Sequence, residues 1–137
     1  MIYKIGFTGT QLGMTSKQKR ELGTVLSKIA TTFNVFERTE FHHGCCIGSD
    51  EQAAMIAKEL GLWTVAHPPI NTSKMSRFVS DETRKPKAYL GRDMDIALEC
   101  DELIATPKEE QEIIRSGTWT TIRYARSHDK LVTIIYP

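Results

Sequence analysis

The stretch "EFHHGCCIGSDEQAAMIAKELGLWTVAHPP", residues 40–69, holds one complete structural unit and sets the reading of the rest of the chain. Glu40 to His43 predicts a short strand. Ser49 to Leu60 predicts a helix: Ala53, Ile56, Ala57 and Leu60 recur at helical spacing, Ser49 with Gln52 fits a capping box, and Gly61 supplies the stop. Leu62 to Ala66 reads as another strand, ended by Pro68 and Pro69. Strand, crossover helix and strand make a parallel βαβ unit, because the helix must bury its apolar stripe on the sheet it bridges.

The alternation continues on both sides. Upstream, Ile2 to Thr8 is a short apolar strand, and Thr15 to Phe33 predicts a helix with Leu22, Leu26, Ile29 and Phe33 on one side and a Thr15–Gln18 capping box. Downstream, Asn71 to Lys85 is polar, aperiodic and longer than a usual connection, so it is either a functional lid or a mobile loop. Pro86 suits the first turn of a third helix with Leu90, Met94, Ala97 and Leu98 as its apolar side. Glu102 to Ala105 is a fourth strand and Thr106 to Arg115 a charged connection. Ser116 opens a helix with Trp119, Ile122 and Ala125 on one side, and Leu131 to Tyr136 is a β-branched final strand. The expected fold is α/β: a Rossmann-like three-layer sandwich of about five mainly parallel strands with helices on both faces, as a single domain over residues 1–137.

Bulk properties narrow the function classes. With 40% hydrophobic and 26% charged residues the composition is that of a globular protein, and 18 basic against 17 acidic side chains leave a net charge of +1. A duplex-binding module needs a clear basic excess to neutralise phosphates, and single-strand binding needs a basic groove with exposed aromatics, so a nucleic-acid partner is disfavoured. No segment approaches the roughly 20 apolar residues of a membrane span, and "MIYKIGFTGT" lacks a secretory signal's layout, so a cytoplasmic protein without a membrane partner is expected. Three cysteines, Cys45, Cys46 and Cys100, make neither an even disulfide set nor a paired C-x-x-C framework.

In an open parallel sheet, ligands bind outside the carboxyl ends of the strands. "FTGTQLG", "HGCCIGSD", "AHPPINTS" and "SGTWTT" all fall on that rim, which makes Ser49 and Pro68 candidate ligand-binding residues along with the glycines and hydroxyls around them. Helix N-termini offer unpaired N–H groups and the positive end of the dipole, and glycine admits a ligand close to the backbone, so such a rim suits phosphate. Gly117 and Thr118 stand out, since Ser116 already serves as a cap and a following glycine is a poor helix residue. The pairs His42–His43 and Cys45–Cys46 do not read as a zinc site, because adjacent strand residues point to opposite faces. Asp50, in a helix's first turn, either complements the dipole or accepts a ribose hydroxyl. The glycines fit neither a Walker loop nor G-x-G-x-x-G, so ATP hydrolysis and nicotinamide chemistry lose ground, and no cofactor is expected.

The ensemble of "GFTGTQ", "HHGCCIGSDEQAAMIAKELG", "HPP", "LGRDMDIALECDELIATP" and "SGTWTTIRYAR" resembles the SLOG superfamily, which groups the Lonely Guy phosphoribohydrolases with DNA-processing protein A and small bacterial and phage nucleotide-binding domains. The resemblance spans Ile5 to Pro137. It implies that Thr8, Gly9 and Thr10 line a floor beside the ligand, that Gly44, Gly48 and Asp50 form a second wall, and that Ser116, Gly117, Thr118 and Trp119 cradle phosphate. Arg92 and Asp93 stand where such proteins often carry Arg-Asn, with the arginine pairing either a ligand anion or a carboxylate on its own helix. Self-association beside the ligand site is a further implication.

One departure bears on activity. Lonely Guy enzymes read P-G-G-x-G-T-x-x-E, and Thr121 stands here in place of the catalytic glutamate. A threonine cannot support an oxocarbenium-like transition state as a carboxylate does. The expected function is therefore sensing or sequestering a nucleotide-derived small molecule, an immune signal being one version. The alternative is a nucleotide N-glycosidase or transferase that uses Asp50, Asp93 or Glu82 instead.

Overall fold

The computed structural model describes residues 1–32 and 38–137, which form six parallel strands and four α-helices. In chain order these are β1 (Ile2–Gly9), α1 (Ser16–Thr32), β2 (Arg38–His43), α2 (Ser49–Glu59), β3 (Trp63–Ala66), β4 (Glu82–Thr83), α3 (Tyr89–Glu99), β5 (Glu102–Thr106), α4 (Gly117–Ser127) and β6 (Leu131–Ile134). The sheet runs β4-β3-β2-β1-β5-β6. The chain thus builds outward from β1 in one direction and then returns to its other side, leaving a switch point between β1 and β5.

Alternation along the central strands sorts side chains into two cores. Ile5, Phe7, Phe41 and Ile104 pack with Leu22 and Leu26 of α1 and Ala53 and Ala57 of α2. On the opposite face Leu103 meets Ile96, Ala97 and Cys100 from the α3 side and Ala125 of α4, while Ala105 meets Trp119 and Ile122. At Gly6 the α3 side comes close to β1: a Cβ there would lie 3.0 Å from Cys100 and Ile96 side-chain atoms.

The Thr15–Gln18 box forms as the sequence predicts, with Gln18 N–H donating to Thr15 Oγ1 and Thr15 N–H to Gln18 Oε1, both at 3.0 Å. Gln18 is fully buried, and its Nε2 also donates to the Pro107 and Ile135 carbonyls, tying α1 to the ends of the β5 and β6 segments. Phe33, expected to end the α1 stripe, lies outside the described residues. The Ser49–Gln52 box does not form. Ser49 Oγ donates to the Thr10 carbonyl at 2.6 Å and Gln52 Oε1 accepts from Met14 N–H at 2.7 Å, so the longer-range contacts with the β1–α1 turn take both side chains.

Two expectations about the third helix are also corrected. Pro86 precedes α3 in an extended segment, where Lys87 N–H donates to the Pro68 carbonyl, and the helix begins only at Tyr89. The apolar stripe is rotated: Arg92, Ile96 and Ala97 are buried while Leu90 and Leu98 are exposed. Arg92 takes the inward position because its guanidinium has partners beneath the sheet rim. Finally, residues 71–85 include a 3₁₀ turn (Thr72–Lys74) and the edge strand β4, a sixth strand beyond the five read from the sequence. Asp81 secures that edge by accepting from the N–H and hydroxyl of Thr64 at 2.8 and 2.9 Å. Such pairing is invisible to local periodicity.

Candidate functional site

A cavity of about 370 Å³ opens at the switch point, beyond the carboxyl ends of β1 and β5. Its walls come from Phe7 to Gln11, from Cys46 and Asp50 at the start of α2, from Tyr89, Arg92 and Asp93 on α3, and from Lys108, Glu109 and Ser116 to Thr118. Turns from four parts of the chain therefore meet in one place. Of the residues singled out in the sequence, Thr8, Gly9, Thr10, Asp50, Arg92, Asp93, Ser116, Gly117 and Thr118 line it.

Five do not. Gly48 sits at φ +83°, and a Cβ there would collide with the Gln11 carbonyl oxygen, so this glycine lets two turns touch and does not face the cavity. Ser49 is buried against Thr10, and a Cβ on Gly44 would press on the Arg92 guanidinium at 2.6 Å. Pro68 is buried and accepts from Lys87 N–H. Trp119 is core: it is 2% exposed, packs with Ala105 and Ile122, and its Nε1 donates to Glu109 at 3.0 Å, so it offers no face to a ligand. Conversely, Tyr89 and Lys108 line the cavity although no sequence motif marks them, and Gln11, inside the FTGTQLG turn but not singled out there, lines it too. Tyr89 lies over Arg92, 5.2 Å from the guanidinium carbon to the ring centroid. The position of Tyr89 at a helix start on the rim is the signal that could have found it.

The α4 end presents main-chain N–H groups to the cavity. Ser116 Oγ accepts from Trp119 N–H as the N-cap, and the opening N–H groups of a helix have no partner within it. Gly117 is exposed and nothing lies within 4 Å of where its Cβ would be, which leaves the backbone open to close approach. Lys108 adds a positive charge on the same wall.

The opposite wall carries carboxyls. Asp50 is buried and its pKa is pushed up to about 7, by burial and by the charge of Asp93 against the opposing pull of Arg92. Asp93 is also raised, again through burial first. Arg92 pairs with Asp93 and acts on Asp50 through its charge: its Nε lies 2.7 Å from Asp93 Oδ1, and its NH1 donates to the Gly44 carbonyl and, at 3.3 Å, to that of His67. Burial works against its charge, but Asp93, Cys46 and Asp50 more than offset this and hold it protonated. Arg92 is thus a clamp within the wall, paired with Asp93; Asp95 pairs with Lys87 instead. Cys45 and Cys46 are buried, and their thiols are raised by burial and by Asp50, the reverse of an activated nucleophile.

The two histidines separate as strand geometry requires. His43 meets Ser80 at 2.7 Å on one face, and burial drops its pKa to about 3. His42 faces the other way, with Nε2 on Glu40 at 2.9 Å and Nδ1 on His67 Nε2 at 2.8 Å. Burial holds both rings uncharged, His67 at about 4. Glu82, named as a substitute carboxylate, is on β4 paired with Arg84 and does not line the rim cavity. Residues 71–85 contribute nothing to that cavity either, so the lid reading is not supported by position; Arg84 and Lys85 line a second cavity instead.

No family model matches the chain, and neither does any curated protein. Solved structures do match. The molybdenum cofactor binding protein from the phototrophic bacterium Rippkaea orientalis superposes with a TM-score of 0.74 at 20% identity, covering 100% of this chain and 78% of that one. The molybdenum cofactor carrier protein from Chlamydomonas reinhardtii gives 0.68 at 22% identity, over 98% and 76%. DNA processing protein A from Helicobacter pylori, described for its single-stranded DNA binding mode, gives 0.69 at 16%, over 96% of this chain and 64% of that one. At these identities the likeness is one of fold, a Rossmann-like three-layer α/β sandwich. Among the described residues no helix is long and apolar enough to cross a membrane.

Proposed function

We propose that the rim cavity binds a nucleotide or nucleotide-derived small molecule, so as to sense or sequester it. The observation that carries this reading is the two-ended character of one cavity. Open helix N–H groups and Lys108 stand at the α4 end, and the Asp50 and Asp93 carboxyls stand across from them. A phosphate suits the first end and sugar hydroxyls suit the second, where a carboxyl accepts their protons. Tyr89, on the outer wall, is the aromatic surface available to a base. The fold neighbours include proteins described as binding a molybdenum cofactor, which supports small-molecule binding. One neighbour is described as binding single-stranded DNA, but here the cavity's Arg92 and Lys108 are matched by Asp50, Asp93 and Glu109, a balance that does not favour a polyanion.

A second reading, N-glycosidic cleavage, draws on one contact. The Thr121 hydroxyl, standing where a Lonely Guy glutamate would, is within hydrogen-bonding reach of Asp93, so a carboxyl from α3 occupies that neighbourhood. One experiment separates the two. Nucleotides, cyclic dinucleotides and ADP-ribose derivatives are titrated calorimetrically, and each mixture is then chromatographed after long incubation. Saturable binding with the ligand recovered intact supports the binding protein. Free base that disappears in Asp93→Asn supports the enzyme. No heat and no turnover with any compound overturns both.

A further inference from the structure

We propose that His42, His67 and Glu99 form a binding site for a divalent transition-metal ion of zinc's class, on the wall of the second cavity. This site is separate from the rim and does not rest on the function proposed there. Its donor atoms, one ring nitrogen from each histidine and one carboxylate oxygen, all lie within 4.8 Å of one another. They come from β2, the end of β3 and α3, three elements fixed by the sheet and its packing.

The chemistry of the set favours a borderline ion. Two imidazoles and one carboxylate with a fourth position left open is a common zinc arrangement, whereas calcium and magnesium take oxygen ligands. The second sphere is already in place. Glu40 accepts from His42 Nε2–H at 2.9 Å and is itself held by Arg38 at 2.7 Å, which leaves the Nδ1 lone pair of His42 directed at His67. A carboxylate that fixes the tautomer of a ligating histidine in this way is the usual support of a metal-bound imidazole.

Glu99 can serve the metal without giving up its present partners. Its Oε1 accepts from Arg84 NH1 at 2.9 Å, while Oε2 takes both Arg84 NH2 at 2.7 Å and Lys4 Nζ at 3.1 Å. Oε1 therefore keeps a lone pair. The cost is local. The two ring nitrogens are 2.8 Å apart as hydrogen-bond partners, and two ligands on a tetrahedral zinc stand about 3.3 Å apart, so the rings must part by about half an ångström. His67 must also carry its proton on Nδ1 in place of Nε2, a tautomer change with no net proton release. Access exists, because His67 and Glu99 both line the second cavity together with Arg84, Lys85 and Lys87. That cavity leaves room for a water as the fourth ligand.

Zn²⁺ and Co²⁺ titrated into metal-free full-length protein test the site. One equivalent should bind with micromolar or tighter affinity and raise the melting temperature, and Co²⁺ should show d–d absorption without a thiolate charge-transfer band. His67→Ala and Glu99→Gln should each weaken binding at least tenfold. Should either variant misfold, the histidine NMR signals of the wild-type protein decide: His42 and His67 shift with one equivalent of Zn²⁺ and His43 and His128 do not. Absence of saturable binding, a thiolate band, or shifts confined to other histidines would overturn the proposal.

Discussion

Arg92 borders both the rim cavity and the histidine-walled one, yet the two regions are assembled by different means. The rim is made of turns and helix starts: those after β1 and β2 touch because Gly48 permits it, with the open N–H groups of α4 on one side and the Asp50 and Asp93 carboxyls on the other. The second region is made of side chains, with Glu40 and His42 buried on β2, His67 buried just past β3, Glu99 closing from α3 and the exposed Arg38 pairing with Glu40 from outside. In the rim, removing a contact lets turns move. In the histidine region, it strands a buried polar group.

The largest effect follows from this reliance on close backbone approach. Gly48 combines a positive φ with contact against the Gln11 carbonyl, a backbone atom that cannot swing away. Gly48→Ala should cost more than about 4 kcal/mol, in the range that marks a specific structural clash. Urea unfolding checks this, and a loss under about 1 kcal/mol would show that the two turns are not locked together.

The same difference explains what the sequence made legible. Strand and helix alternation, the capping box at Thr15 and the Ser116 cap are local signals, and each appears in the structure where expected. The rim turns are readable for the same reason, through Gly9, Thr10, Gly117 and Thr118. What local reading misses is decided by distant partners. Ser49 and Gln52 abandon their box for Thr10 and Met14, and α3 turns Arg92 inward because Gly44 and His67 offer carbonyls. β4 exists because Asp81 reaches Thr64. The His42–His67–Glu99 cluster joins three separate elements, and no spacing rule links them.

Asp50 sharpens the comparison through pH, since it is the carboxyl that the rim keeps buried beside Arg92 and Asp93 and near the Cys45 and Cys46 thiols. Its pKa of about 7 in the folded chain lies above the ordinary value of 3.8. Between these the folded chain keeps a proton that the unfolded chain has lost, so stability falls as pH rises through about 4 to 7 and the penalty is complete above 7. Asp50→Asn cannot titrate. It should be about 2–4 kcal/mol more stable than wild type at pH 8, with the gain vanishing near pH 4, because each tenfold change in proton affinity between the folded and unfolded chains is worth about 1.4 kcal/mol. A pH-independent difference between the two proteins in chemical denaturation would place the raised carboxyl elsewhere. On the proposed function, phosphate-bearing ligands should also bind wild type more tightly at pH 6 than at pH 8, a trend that Asp50→Asn flattens.

The smallest expected change in stability belongs to Gly117, the counterpart of Gly48. Nothing surrounds its missing Cβ, it has no positive φ that would strain a side chain, and it opens α4. Alanine is the better helix residue by up to about 1 kcal/mol, so Gly117→Ala should leave stability unchanged or slightly raised. If the backbone at α4 is kept bare for a phosphate, the same substitution should weaken nucleotide binding about tenfold while the melting curve stays in place. Calorimetry on the two proteins separates these outcomes: equal affinities would mean that the glycine serves neither packing nor ligand, and the anion end of the cavity would then rest on Ser116, Thr118 and Lys108 alone.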